Sequence, residues 1–297
     1  MKIAVMGAGA VGCYYGAMLA RAGHDVTLIG RPDHVEAMNR DGLLLDFGAT
    51  QEFVSVTAST DAVAIAGAEL VLFCVKSTDT QSAGEQIKPF ISKDTIILSL
   101  QNGVDNAERL SVVLGQPVIP VVVYVATSMG GAGHVKHHGR GELVMGPSDQ
   151  SRIVADTLRP AGIPIEISEN AAGALWAKMI LNCAYNALSA ITQLPYGKLV
   201  EGEGVGNVMR NAVEECLAVA RKDGVTVPDH VWEAIEKIAQ TMPTQFSSTA
   251  QDLARGKPSE IDYLNGYIVR KGTEFGIPTP TNLTLFALTK LQEGKAS

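Results

Sequence analysis

The chain has 297 residues, of which 46% are hydrophobic and 19% are charged, and its formal net charge is −7 at pH 7. This length favours two domains, and this composition is typical of a folded globular protein and not of a disordered one. The negative charge disfavours a general affinity for nucleic acid or for an anionic membrane surface.

No basic-then-apolar signal segment precedes the first predicted strand, and no uncharged apolar stretch has membrane-spanning length. We therefore expect a cytoplasmic protein without membrane association. The four cysteines are far apart in the sequence, which predicts buried reduced thiols and neither disulfides nor metal ligands. They are Cys13, Cys74, Cys183 and Cys216.

The first predicted strand, Lys2–Met6, leads directly into a glycine-rich turn. A helical run over residues 13–22 and a second strand over residues 26–29 follow the turn. Strand, G-x-G-x-x-G, helix and strand in this order form the dinucleotide-binding fingerprint, and this context disfavours the alternative of a simple tight turn. The predicted cofactor-binding residues of the turn are Gly7, Ala8, Gly9, Ala10, Val11 and Gly12.

Each glycine of the turn has its own physical reason. Gly7 permits the tight turn, Gly9 lets the backbone approach a pyrophosphate, and Gly12 lets the helix pack closely on the strand. The N-terminus of the helix then offers N–H groups and the positive end of its dipole to the phosphates.

The end of the second strand indicates which cofactor binds. NAD sites usually place Asp or Glu there to bind the ribose hydroxyls. Here the strand ends in Ile29-Gly30-Arg31, and a guanidinium binds a phosphate through bidentate hydrogen bonds. The sequence therefore favours NADPH over NADH, although Asp33 lies nearby. The alternative is that Arg31 is a solvated loop charge.

Three further apolar runs continue the α/β pattern and are typical of buried parallel strands. They are Leu70–Val75, Ile96–Leu100 and Val118–Val125. In open α/β sheets the ligand lies beyond the carboxyl ends of the strands, where Lys76, Asn102 and Ala126 fall. We expect these residues to contact the nicotinamide half of the cofactor or the substrate, although each could singly be an ordinary turn residue.

Residues 130–141 are rich in glycine and contain three histidines, His134, His137 and His138. A metal site is one interpretation, but no carboxylate lies at ligand spacing, and a hairpin or polar loop is favoured. A strand over residues 143–146, a helix over 151–158 and a last strand over 163–167 complete this half. The predicted domains are therefore an NADP-binding domain over residues 1–167 and a helical domain over residues 168–297.

A long apolar stretch without proline, Asn170–Leu194, predicts a mostly buried helix. It is interrupted by Lys178, Asn182 and Asn186, each four residues after the last. Four residues advance a helix by about 400°, so the three side chains form one polar stripe. A buried lysine needs a partner, and for Lys178 alone a structural ion pair or an outward-reaching side chain is an equal alternative.

The rest of the chain predicts an all-α domain, with helices over residues 207–222, 229–240 and 281–291. A further helix is predicted to open near Lys257, with Ser259 as its N-cap and Glu260 in its first turn. Glu260 either complements the helix dipole or is a functional carboxylate, and the sequence leaves both readings open.

These features together resemble the ketopantoate reductase (2-dehydropantoate 2-reductase) family over essentially the whole chain. The resemblance implies an α/β fold with an N-terminal Rossmann-type doubly wound sheet and a C-terminal all-α domain, similar to 6-phosphogluconate dehydrogenase. The family's pattern appears here as Gly7-x-Gly9-x-x-Gly12, Arg31, Lys76, Gln101-Asn102-Gly103, Lys178/Asn182/Asn186, Ser248-x-x-Gln251-Asp252 and Glu260-Ile-Asp-Tyr-Leu-Asn-Gly266.

The resemblance also implies a reaction, the NADPH-dependent reduction of 2-dehydropantoate to (R)-pantoate in pantothenate and coenzyme A synthesis. Lys178 would be the general acid that protonates the carbonyl oxygen, and Glu260 would orient the lysine and the reacting oxygen. An ammonium suits this role because hydride delivery to a ketone leaves negative charge on oxygen. The substrate-binding residues implied by the resemblance are Asn102, Asn182, Asn186 and Ser248.

Two positions depart from the family's pattern. Tyr196 stands where many relatives have Asn, and Thr249-Ala250 stands where relatives often carry Met and a larger aliphatic residue. These departures leave open a related NADPH-dependent reductase of another 2-oxo acid. A non-catalytic NADP-binding sensor is a further alternative, which the presence of Lys178 and Glu260 disfavours. Formation of a homodimer through the apolar helical domain also stays open.

Overall fold

The structure, a computed structural model, describes residues 1–295 and contains two compact units, one over Met1–Ala171 and one from Ala172 onward. The sequence places the domain boundary slightly earlier, after residue 167. The last two residues of the predicted second domain lie outside the described residues.

The first unit is built on one mixed sheet. Its strands are β1 (Lys2–Met6), β2 (Asp25–Ile29), β3 (Leu43–Asp46), β4 (Gln51–Val54), β5 (Thr57–Ser59), β6 (Leu70–Phe73), β7 (Ile96–Ser99), β8 (Ile119–Gly131), β9 (His134–Met145) and β10 (Ile165–Ile167). Its helices are α1 (Ala10–Arg21), α2 (Pro32–Asp41), α3 (Thr80–Ile87), α4 (Asn106–Leu114) and α5 (Ser151–Leu158).

The sheet has the strand order β4-β3-β9-β8-β7-β6-β1-β2-β5, with β10 added beside β9. Neighbouring strands in the part of the sheet ordered β8-β7-β6-β1-β2-β5 pair in parallel. Their register aligns four strand ends, since Met6 pairs with both Ile29 and Phe73, and Phe73 pairs with Ser99. The segments that follow β1, β2, β6 and β7 therefore leave the sheet along one edge.

Alternation along the central strands builds a hydrophobic core on each face of the sheet. In β1, Ile3 and Val5 pack into the cluster that α1 covers, whereas Ala4 and Met6 pack into the cluster that α3 and α4 cover. A strand buried on both faces reads as a continuous apolar run, and each large aliphatic side chain contributes roughly 1.5–3 kcal/mol when buried. The predicted doubly wound Rossmann-type sheet is confirmed.

The described residues of the second unit form helices joined by loops, without a strand. Its helices are α6 (Ala171–Thr192), α7 (Tyr196–Leu199), α8 (Val205–Lys222), α9 (Val231–Thr241), α10 (Ser248–Ala254), α11 (Asn265–Phe275) and α12 (Pro280–Lys295). Short 3-10 helices occur in both units, at Ala62–Ile65, Ser77–Asp79, Lys88–Phe90, Arg159–Ala161 and Ile261–Tyr263. Within residues 1–295, no helix combines the length and apolar character that crossing a membrane requires.

One strand was predicted over the apolar residues 118–125, but the observed strand is much longer. It continues to Gly131 as β8 and pairs antiparallel with β9, so the glycine- and histidine-rich segment forms the turn of a hairpin and most of β9. The prediction that Ala126 lies at a strand end is therefore wrong, because Ala126 pairs with Gly139 inside the hairpin. The backbone pairing of β8 with β9 continues through the polar residues of β9. A search for alternating apolar residues does not reveal such pairing.

The helix predicted to open near Lys257 begins later than the sequence suggests. A 3-10 turn, Ile261–Tyr263, precedes α11, and Leu264 between them has non-helical backbone angles, φ −114° and ψ −105°. Ser259 still acts as a turn residue, because its Oγ accepts the Ile261 N–H at 3.2 Å. Glu260 thus lies just before a 3-10 turn and not in the first turn of an α-helix.

Candidate functional site

The glycine-rich turn at the end of β1 is shaped by contacts that exclude larger residues. Gly7 has φ +110°, and a Cβ there would lie 2.8 Å from the backbone of Cys74 and Val75. The N–H groups of Gly7 and Ala8 both donate to the carbonyl of Ile29, at 3.0 and 2.8 Å. The turn is therefore fixed against the segments that leave β2 and β6.

The other two glycines differ in the space around them: Gly12 is crowded and Gly9 is open. A Cβ on Gly12 would lie 2.1 Å from the Gly7 carbonyl oxygen, so only glycine lets α1 begin this close to the turn. A Cβ on Gly9 would meet nothing within 4 Å. Gly9 is the N-cap of α1, and the N–H groups of Ala10 and Val11 lie in the first turn, where a helix has no acceptors of its own. An open space in front of a helix N-terminus suits a pyrophosphate.

Arg31 lies next to this turn. It is exposed and is the N-cap of α2, directly after Gly30. A Cβ on Gly30 would lie 2.6 Å from the Cβ of Ala8, so the Arg31 segment and the glycine turn touch. An exposed guanidinium beside a dinucleotide-type turn is suited to bind a phosphate on the adenosine ribose.

Lys76 and Asn102 follow β6 and β7 and are half-buried. Because the strand ends are in register, both residues lie on the same edge of the sheet as the glycine turn. Beneath them lies a buried polar network centred on Asn106, which the sequence reasoning missed. The signal was present as a group of amides, Gln101, Asn102 and Asn106, directly after a buried strand.

In the second unit, α6 carries the predicted polar stripe. Lys178 and Asn182 are half-buried, and the exposed fraction of Asn186 is only 2%. The rest of the helix is mostly buried and apolar, so the stripe is its main polar feature.

Side chains from later elements of the second unit hold α6 in place. Asn265 Nδ2 donates to the carbonyl of Cys183 at 3.1 Å, and the Tyr185 hydroxyl donates to the carbonyl of Ile235 at 2.8 Å. Trp176 packs edge-on against Tyr267, with 6.0 Å between ring centroids. Burial raises the pKa of the Tyr185 hydroxyl to about 12.

Two neighbouring serines at the start of α10 have different roles. Ser248, the predicted substrate contact, is exposed and is the first residue of the helix. Ser247 is fully buried: its Oγ accepts the Ala250 N–H at 3.0 Å and donates to the carbonyl of Asn186 at 3.2 Å. Ser247 therefore ties the segment that presents Ser248 to the turn of α6 that carries Asn186. The role of Ser247 was not predicted, because the sequence alone does not distinguish two adjacent serines.

Glu260 lies between two anchored residues. Ser259 is buried and donates through its N–H and Oγ to Glu293 Oε1 of α12, at 2.9 and 2.6 Å. Ile261 is fully buried and packs in one cluster with Ala187 of α6. The half-buried carboxylate is therefore carried by a segment packed against the helix of the polar stripe.

The three histidines of the β8–β9 hairpin have structural contacts. His134 Nε2 lies 3.0 Å from Asp46, the ring of His137 stacks on Tyr14 at 4.7 Å, and His138 Nε2 lies 2.8 Å from Ser128 Oγ. Residues 1–295 contain no group of three or more His, Cys, Asp or Glu side chains that could hold a metal ion. The cysteines of this range are free thiols, and burial raises the pKa of Cys13 to about 12.

Comparisons with known proteins match both units. The family model described as "Ketopantoate reductase PanE/ApbA" matches residues 3–150, and the one described as "Ketopantoate reductase PanE/ApbA C terminal" matches residues 170–293. The 2-dehydropantoate 2-reductases of Pyrococcus horikoshii and Vibrio cholerae are 33% and 31% identical to this chain, each alignment covering 99% of this chain and 98% of the relative.

Two solved structures are similar over the full length. A PanE/ApbA family ketopantoate reductase from Ralstonia eutropha JMP134 is 62% identical with a TM-score of 0.97, covering 100% of this chain and 99% of that one. A D-mandelate dehydrogenase, solved with NADH and anilino(oxo)acetate, is 26% identical with a TM-score of 0.92 over the same shares.

Proposed function

Because the chain belongs to the ketopantoate reductase family, we propose that it is an NADPH-dependent 2-dehydropantoate 2-reductase. It would convert 2-dehydropantoate to (R)-pantoate in the synthesis of pantothenate and coenzyme A. The observation that carries the proposal is the stripe of Lys178, Asn182 and Asn186 on the otherwise apolar helix α6.

The chemistry assigned to the second unit centres on Lys178. When bound, a nicotinamide cofactor would supply a hydride to the carbonyl carbon of the substrate, which would leave negative charge on the carbonyl oxygen. The Lys178 ammonium stabilises that charge and donates a proton to the oxygen, giving the alcohol. Glu260 carries the carboxylate assigned to orient the lysine and the reacting oxygen, and its segment is anchored by Ser259 and Ile261.

The remaining polar residues are assigned to binding. The amides of Asn182 and Asn186 each offer donors and an acceptor, so they suit the hydroxyl and carbonyl groups of the substrate. The Ser248 hydroxyl and the Asn102 amide are assigned to its carboxylate. Gly9, Ala10 and Val11 are assigned to the cofactor's pyrophosphate, which the open space in front of α1 fits.

Replacing Arg31 with alanine is expected to raise the dissociation constant for NADPH by about tenfold or more and to change that for NADH little. The reason is that the guanidinium's charge-assisted hydrogen bonds are made only to the 2′-phosphate. Fluorescence titration with both cofactors measures the two values. Arg40→Ala is the matched control, because Arg40 lies on the same helix but is paired with Asp41. Equal weakening of both cofactors would contradict a phosphate contact.

The unmodified protein is expected to oxidise NADPH in the presence of 2-dehydropantoate. The measurement is the decrease in NADPH absorbance, compared across a panel with 2-oxoisovalerate and phenylglyoxylate, and with NADH in place of NADPH. Cofactor binding without turnover of any 2-oxo acid would favour a sensor and overturn the proposed reaction.

A second candidate, reduction of another 2-oxo acid, is favoured by the surroundings of Tyr196. Its ring is buried and packs edge-on against Tyr185, with 4.9 Å between centroids, where many relatives carry an asparagine. A buried aromatic pair supplies apolar packing where an amide would supply hydrogen bonds. The similar D-mandelate dehydrogenase was solved with anilino(oxo)acetate, which carries an aromatic group. A kcat/KM at least tenfold higher for phenylglyoxylate than for 2-dehydropantoate would transfer the proposal to this substrate.

A further inference from the structure

The amide of Asn106, whose exposed fraction is 2%, lies at the centre of a buried network that joins the loops following β6 and β7. Asn106 is the first residue of α4. Its Nδ2 donates to Ser77 Oγ at 3.0 Å and to the carbonyl of Asn102 at 2.5 Å. Its Oδ1 accepts from Arg109 at 3.1 Å and lies 3.1 Å from the Thr80 hydroxyl. Both donors and the acceptor of the amide are therefore used.

The partners of Asn106 outside α4 come from the segments that follow two different strands. Ser77 and Thr80 follow β6, whereas Asn102 follows β7. Ser77 Oγ itself donates to the carbonyl of Asn102 at 2.9 Å, so this carbonyl accepts two hydrogen bonds. Arg109 donates to the carbonyl of Ser77 at 3.3 Å, which closes the network from the side of α4. The two loops are thus fixed to each other as well as to the helix.

The network lies directly next to two residues that are predicted to contact the ligand, Lys76 and Asn102. Lys76 immediately precedes Ser77, and the backbone of Asn102 is itself a partner of Asn106. A buried amide with all its hydrogen bonds satisfied holds its partners in one geometry, and its loss leaves several buried groups unpaired.

We propose that Asn106 is a positioning residue that sets the affinity for the nicotinamide cofactor by fixing the loops that carry Lys76 and Asn102. This inference rests on the proposed function, because that function supplies the cofactor. Asn106 itself acts through its neighbours and makes no contact with the reacting atoms. Its chemistry is specific: an aspartate of the same shape would lose both donors and place a carboxylate against the Asn102 carbonyl.

The test is the affinity for NADPH, measured by fluorescence titration of the full chain well below its unfolding temperature. Asn106→Ala is expected to raise the dissociation constant by about tenfold or more, and Ser77→Ala by a smaller factor. Asn106→Asp is the second variant, which keeps the side-chain volume if the alanine variant does not fold. We expect it also to bind NADPH about tenfold more weakly.

Thr95→Val is the matched control for a purely structural effect. Thr95 is also buried, and its Oγ1 donates to the carbonyl of Ala68 at 3.0 Å, at the amino end of β7 and so at the opposite edge of the sheet. We expect this variant to lose stability while keeping its NADPH affinity. Folded Asn106 variants with unchanged affinity, or an equal loss in Thr95→Val, would overturn the inference alone. Failure of the unmodified protein to bind NADPH or NADH would overturn the proposed function with it.

Discussion

Replacing Lys178 with alanine is expected to lower kcat/KM for the 2-oxo acid by about 100-fold or more, with little change in the dissociation constant for NADPH. The reason is that general-acid catalysis contributes roughly two to four orders of magnitude, and the variant lacks both the proton and the positive charge. The measurement is steady-state NADPH oxidation, paired with fluorescence titration of the cofactor.

Two further variants separate the possible roles of this lysine. Lys178→Arg keeps the charge but holds its proton too tightly to donate it, so we expect its activity to stay close to that of the alanine variant. Lys222→Ala, on the exposed last turn of α8, is expected to be fully active. Normal turnover in Lys178→Ala would mean that the lysine has a structural role, which is the alternative that the sequence left open.

Replacing Gly12 with alanine is expected to abolish cofactor binding and to lower the free energy of unfolding by on the order of 3 kcal/mol. The added Cβ would lie 2.1 Å from the Gly7 carbonyl oxygen and 2.9 Å from Val5 Cγ1, so α1 must move away from β1. Chemical denaturation measures the stability, and fluorescence titration measures the binding.

Gly9→Ala is the matched substitution in the same turn. Gly9 already has backbone angles that alanine adopts, φ −87° and ψ −170°, and its Cβ would meet no atom within 4 Å. We therefore expect unchanged stability but an NADPH affinity about tenfold lower, because the methyl group enters the space assigned to the pyrophosphate. A large loss of stability in Gly9→Ala, or none in Gly12→Ala, would contradict this account of the turn.

Much of the first unit could be predicted from local pattern alone. The bounds of β1 agree residue for residue, and so do those of α5, because each is a clear apolar or amphipathic segment with turn residues on both sides. The polar stripe on α6 could also be predicted, since it depends only on the spacing of polar residues within one helix. Its half-buried lysine and buried Asn186 confirm that the stripe interrupts a mostly apolar surface.

What could not be predicted depends on partners distant in sequence. The hairpin that contains Ala126 needs the register of β9, which no local pattern supplies. The 3-10 turn after Glu260 follows Ser259, whose partner Glu293 lies 34 residues away. The roles of Asn106 and Ser247 likewise became visible only when their buried hydrogen-bond partners were identified.

The supports of α6 also have a consequence for how the protein is made. The carbonyls of Asn186 and Cys183 accept hydrogen bonds from Ser247 and Asn265, which lie 61 and 82 residues further along the chain. A ribosome therefore releases the helix that bears Lys178 well before it synthesises the residues that hold this helix in place. A nascent chain that stalls or is cleaved before Asn265 would contain the first unit but no fixed position for Lys178, the proposed proton donor.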